Sequence, residues 1–199
     1  MLETVRNAWR IEDIRKRIIF TFLMLLVIRF GSILPIPGVD REQIAAFFHH
    51  QSADALNFFN AITGGAFMQM SVFALNITPY ITSSIIMQLL TIAIPKLEEM
   101  QKEGEEGRKK IAEITRYLTV GLALIESSAM AIGFGRAGYL EDFNAINVIT
   151  IIVTLTAGSA VLMWIGERIT EKGVGNGISI VLAINIISRI PHDLSLLYQ

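Results

Sequence analysis

The chain's three histidines, His49, His50 and His192, all fall outside its apolar runs, so a Ser/His hydrolase working inside a membrane has no base to draw on. Adjacent residues on a helix point about 100° apart, which favours two solvated side chains over a metal pair at His49-His50. The stretch GFGRAG, Gly133 to Gly138, meets the letter of G-x-G-x-x-G. A pyrophosphate cradle, however, needs a strand before it and a helix start after it, whereas this stretch closes an apolar run and reads as a helix end with a turn. KGVGNGIS, Lys172 to Ser179, lacks the order of a phosphate-binding loop. Its glycines suit a tight turn from which the next helix starts at once, with a contact surface for a cytosolic partner as the alternative. No catalytic residue, no cofactor and no metal are expected, and the protein is not expected to be an enzyme.

Glu126 carries more information. Around it Leu118, Val120, Leu122, Leu124, Ile125 and Ile132 together favour insertion into a bilayer by about 2 to 4 kcal/mol, while one acidic side chain near mid-span costs about 3 kcal/mol. The helix is therefore expected to turn Glu126 away from lipid, either as a polar member of a pathway or gate or as a buried hydrogen-bonding partner. Ser127, Ala131 and Gly135 follow at i+4 spacing, small enough for a neighbouring helix to approach closely. Arg29 stands late in its own apolar run and can snorkel to the outer interface.

Such residues require a membrane scaffold, and the composition supplies one: 52% of the 199 residues are apolar and the mean hydropathy is +0.52. The balance of 17 Lys+Arg against 18 Asp+Glu argues against direct nucleic-acid binding, which leaves a basic surplus on one face. Cysteine is absent, so no disulfide framework or thiolate metal site exists. The apolar runs predict an all-α, polytopic membrane helix bundle with spans at 17–34, 71–94, 117–135, 146–166 and 177–190 behind a cytoplasmic segment 1–16, the whole forming one domain, 1–199. No small-residue cleavage site follows the first run, and Pro35 and Pro37 stop it, so it is expected to be retained rather than removed as a signal peptide. Between spans, Gly38 to Ala55 reads as amphipathic and extramembrane, Pro95 to Arg116 as a long charged loop, and Glu167 to Asn176 as a compact turn.

Lys and Arg set the orientation. Five lie in the N-terminal segment, six between Lys96 and Arg116 and two in the Glu167 to Asn176 turn, against four (Arg29, Arg41, Arg136, Arg189) on the other side. The positive-inside bias then places the N-terminus of a multi-pass membrane protein in the cytoplasm. Five spans are an odd number. A second copy continuing the chain would insert upside down, so the unit looks like half of an inverted repeat.

The stretch from Asn57 to Leu90 is membrane-like yet broken. Ile77, Ile81 and Gln88 share one helical face, Pro79 removes a backbone donor, and Asn76 can cap or kink the helix. Before it, 57–70 mixes Phe58, Phe59, Ile62 and Phe67 with Asn57, Asn60, Thr63, Gly64, Gly65 and Gln69. Irregular backbone at membrane depth survives where protein or a water-filled cavity surrounds it. Read in isolation, a broken helix near an intramembrane acid also fits a secondary transporter for a small solute, or a structural membrane subunit without a pathway.

ILPIPGVD (33–40), FNAITGGA (59–66), SVFALNITPYITSSIIMQLL (71–90), KEGEEGRKKIAEITRY (102–117) and LMWIGERITEKGVGNGISI (162–180) resemble, in order, the SecY/Sec61 family of protein-translocation channels, and within it the N-terminal half of the bacterial members. The resemblance implies a plug at about 57–70, a short half-helix with Phe59, Ile62, Gly64, Gly65 and Phe67. It implies a pore ring of Ile77, Ile81, Ile178 and Leu182, the last replacing a common isoleucine, and a lateral gate with Thr82 and Glu126. Implied partners are the remaining half of the channel, small Sec membrane subunits of the SecE and SecG type, the motor ATPase SecA or the ribosome, the signal sequences of secretory proteins, and the lipid bilayer.

Overall fold

The structure is a computed structural model that describes residues 11–40, 43–44, 60, 62–140 and 142–188. Among these residues the ordered elements are helices: α1 (Glu12–Ile33), α2 (Thr78–Ala93), α3 (Pro95–Lys102), α4 (Glu105–Arg136), α5 (Ala145–Lys172) and α6 (Gly177–Ile187). Extended pairing is confined to two isolated antiparallel bridges, Pro35 with Ser71 and Val39 with Leu140.

Local chemistry sets the boundaries. Glu12 and Asp13 occupy the first turn of α1, where the helix dipole favours negative charge. Pro35 then forces Leu34 into an extended conformation (φ −67°, ψ 120°) and ends the helix. Pro95 does the same to Ile94 (φ −110°, ψ 111°), so α3 starts in a new direction, bent by 101° from α2.

Three expectations are corrected. The second span was expected over 71–94, kinked at Pro79. Instead 72–77 is a run of turns, and the helix begins at Thr78 with Pro79 in its first turn, where a missing N–H costs no intrahelical bond. Asn76, in the left-handed region at φ 54°, is what stops the helix from starting earlier. The charged loop expected over Pro95 to Arg116 is helical: it forms α3 and the first three turns of α4. Its Lys, Glu, Gln and Met are good helix formers, and Lys102 pairs with Glu98 one turn away at 2.6 Å. Likewise α5 runs on to Lys172, which shrinks the expected 167–176 turn to Gly173–Asn176.

Among the described residues, α4 and α5 are long and apolar enough to cross a membrane, and α2 with α3 makes a third, bent candidate; the expected five is not reached. Arg29 interrupts the apolar run of α1, and α6, at 11 residues, covers only about 16 Å.

The chain divides into two compact units, Ile36–Asp40 with Leu75–Ala160, and Met1–Pro35 with Arg41–Ala74 and Val161–Gln199. In the first, α2 and α3 pack on α4. The buried stripe of α4 recurs every fourth residue, Thr115, Thr119, Ala123, Ser127, Ala131 and Gly135, which bears out and lengthens the small-residue series expected there. Ser127 and Thr156 share a hydrogen bond of 3.0 Å between α4 and α5. Other buried hydroxyls donate to their own helix four residues back: Ser83 to Pro79 and Thr91 to Met87 on α2, Thr115 to Ile111 and Thr119 to Thr115 on α4. In the second unit α1 touches α6, and the bond from Val72 N to Leu34 O, 3.0 Å, secures the end of α1 to the segment before α2.

Candidate functional site

The second unit holds the segment expected to act as a plug. Asn60 and Thr63 are 1% exposed, and together they organise everything to Met70. The Asn60 carbonyl accepts from Gly65 N and from the Thr63 hydroxyl, both at 3.0 Å. Asn60 Oδ1 accepts from Met68 N at 3.1 Å, and Thr63 Oγ1 accepts from Phe67 N at 3.3 Å. Residues read from the sequence as too polar for lipid thus serve as internal ties.

Around these ties Ala66, Phe67 and Met70 are buried and Ile62 is half-buried. The resemblance implies a half-helix at about 57–70; Asn60 and Ile62 are helical, 63–70 is a chain of turns, and the remainder of the segment lies outside the described residues. Gly64 and Gly65 lie consecutively in the left-handed region, at φ 66° and 86°, which a right-handed helix cannot contain. A Cβ on Gly64 would stand 2.7 Å from the Asn185 carbonyl oxygen on α6, whereas one on Gly65 would meet nothing within 4 Å. Phe59 lies outside the described residues, as do His49, His50, His192 and most of Gly38 to Ala55.

The four expected ring residues form two pairs at i, i+4, so each pair shares one side of its element. Ile77 is fully buried and precedes α2, and Ile81 is half-buried one turn on, its N–H bonded to Ile77 O at 3.1 Å; this pair belongs to the first unit. Ile178 and Leu182 are half-buried on the first two turns of α6 in the second unit. Asn176 Oδ1 caps that helix, accepting from Ile178 N at 3.1 Å and Ser179 N at 3.3 Å.

Of the expected gate residues, Thr82 is exposed on α2 and donates to Thr78 O at 3.1 Å. Glu126 is half-buried on α4 beside Ser127 of the buried stripe. α4 ends at Arg136 with Tyr139 N bonded back to Phe134 O at 3.0 Å, so GFGRAG is a helix end and turn. Among the described residues no three His, Asp or Glu side chains gather as a metal site.

Sequence reasoning missed a cavity of about 560 Å³ between α2, α3 and α4, lined in part by Tyr80, Gln88, Gln101, Arg108 and Thr115. Polar residues on these helices hinted at it, but the 101° bend between α2 and α3 did not show in the pattern.

Residues 71–199 match the family model described as SecY. The chain belongs to the SecY family. SecY-family relatives named protein translocase subunit SecY, from Halalkalibacterium halodurans and Bacillus subtilis, are each 45% identical over 202 and 203 residues, covering 100% of this chain and 46% of their own length. The relative of that name from Thermotoga maritima is 42% identical over 200 residues, covering 96% and 46%. The chain spans about half the length of the curated relatives it matches. Two solved structures share the fold: Sec61 in the canine ribosome-channel complex from the endoplasmic reticulum (TM-score 0.61) and the structure of a protein conducting channel (TM-score 0.59), each 20% identical and covering 88% of this chain and 36% of the other. The bacterial SecY relatives and the apolar helices mark a protein of the cytoplasmic membrane. These matches do not favour the small-solute transporter reading.

Proposed function

We infer that this chain is the N-terminal half of a protein-conducting channel, five spans facing an inverted five-span partner. The completed channel moves unfolded secretory chains across the membrane and releases apolar segments sideways into it. The carrying observation is the family match across the chain, joined to a non-helical segment, 63–77, placed before the membrane helix α2.

An unfolded polypeptide presents every side-chain chemistry in turn. A waist of Ile77, Ile81, Ile178 and Leu182 offers it no fixed hydrogen bonds, so no passing sequence is held. The Asn60–Met70 segment stops ions when the channel is idle. The face of α2 and α4 near Thr82 and Glu126 forms one side of a slot through which an apolar client leaves, because its transfer to lipid is favourable. The N-terminus lies in the cytoplasm, and the driving force comes from a motor ATPase of the SecA type or from a ribosome, with small subunits of the SecE and SecG type alongside. A structural neighbour described as part of a ribosome-channel complex supports the ribosome as a partner.

Cysteines placed at Phe67 and at Ile81 in the complete channel are expected to crosslink to a secretory chain stalled in transit. If neither does, the conduit reading is lost.

A further inference from the structure

The KGVGNGIS turn is held from three sides. From α1, Thr21 Oγ1 accepts a hydrogen bond from Val174 N at 3.1 Å while donating its own proton to Arg17 O at 2.9 Å. Arg17 Nη1 donates to Gly173 O at 3.4 Å. From α5, Thr170 Oγ1 accepts from Gly177 N at 2.9 Å while donating to Gly166 O at 3.0 Å. From within the turn, Asn176 caps α6.

The space matches the bonding. A Cβ on Gly173 would stand 2.5 Å from Thr21 Oγ1 and 2.6 Å from Ile169 O, and one on Gly177 would run into the Gly166 carbonyl. Most buried hydroxyls here only donate to their own helix. Thr21 does that and also ties down a backbone N–H 153 residues away, at the point where α6 is about to begin.

The geometry points to Thr21, supported by Arg17, as the positioning residue that fixes the start of α6 and with it the direction of Ile178 and Leu182. The assignment rests on the pore-ring reading of those two side chains. Ile178 is the second residue of α6, two residues past the Asn176 cap. A slip of the cap by one residue rotates both ring side chains by about 100°, so a lost tie at the turn changes whether they meet the passing chain.

The test is made in the complete channel reconstituted in lipid vesicles. Idle ion conductance per assembled channel is the readout, and Leu182→Gly, which opens the ring directly, is the reference. Thr21→Val keeps the shape and removes both bonds. It is expected to raise idle conductance about five-fold, the factor equivalent to about 1 kcal/mol for one hydrogen bond, while Thr21→Ser stays at the wild-type level. Thr21→Val at wild-type conductance beside a leaking Leu182→Gly overturns the assignment and leaves the ring standing. A Leu182→Gly channel that does not leak removes the ring reading and this assignment with it. Thr21→Ser leaking as much as Thr21→Val also overturns it, since methyl packing rather than the hydroxyl would then set the turn. Should Thr21→Val fail to assemble, Gly173→Ala presses on the same bond from the other side; a rise in leak supports the assignment and wild-type conductance refutes it.

Discussion

Gly64 and Gly65 adopt the same left-handed conformation but stand in different surroundings, and alanine at each separates two costs. A non-glycine residue in that region loses about 1 to 2 kcal/mol. Gly65→Ala incurs that loss alone, because its Cβ would meet nothing within 4 Å. Gly64→Ala incurs it and also forces a methyl to 2.7 Å from the Asn185 carbonyl oxygen, an overpacking strain of about 1 to 3 kcal/mol against backbone that cannot rotate away. Phe67, 8% exposed, reports the outcome once it is changed to cysteine. In that background, thiol labelling follows the fraction of molecules in which the segment has left its seat. A loss of 1 to 2 kcal/mol raises that fraction roughly 5- to 30-fold, so Gly65→Ala is expected to label faster by about that factor, and Gly64→Ala faster still by at least another factor of about five. Equal labelling of the two variants, or faster labelling of Gly65→Ala, would refute the placement of Gly64 against α6.

Two further outcomes test the helices. Ala131→Leu adds three carbons to the buried stripe of α4 and is expected to destabilise the fold by about 1 to 3 kcal/mol, read as a lowered unfolding temperature in detergent, whereas Ile132→Leu on the exposed side leaves it unchanged. Pro79→Ala should alter stability by less than about 1 kcal/mol, because a proline in the first helical turn gives up no intrahelical bond; a large stabilisation in the same unfolding assay would restore the kinked-helix reading.

The sequence-to-structure correspondence was closest where spacing alone fixes geometry. Ser127, Ala131 and Gly135 advertised a close-packed face, and the structure carries that face back to Thr115. It failed where one residue type serves two geometries: Pro79 looks the same in a pattern whether it kinks a helix or starts one, and the deciding feature, Asn76 at φ 54°, is a backbone state. Polarity also misled over Pro95 to Arg116, since charged side chains that suit a loop suit a solvated helix equally well. In the candidate site, paired glycines signalled non-helical backbone. The roles of Asn60 and Thr63 were hidden because their partners exist only once the turns have formed.

The inward-turned hydroxyls of α2 and α4 have a mechanical consequence. Ser83, Thr91, Thr115 and Thr119 each give their proton to their own helix, so none of these four bonds depends on where the neighbouring helix lies. If one helix slides along the other, all four survive, and the small side chains between them add dispersion of about 0.1 to 0.2 kcal/mol per atom pair, recovered at the next register. These hydroxyls make the contact polar in composition without themselves fixing its register.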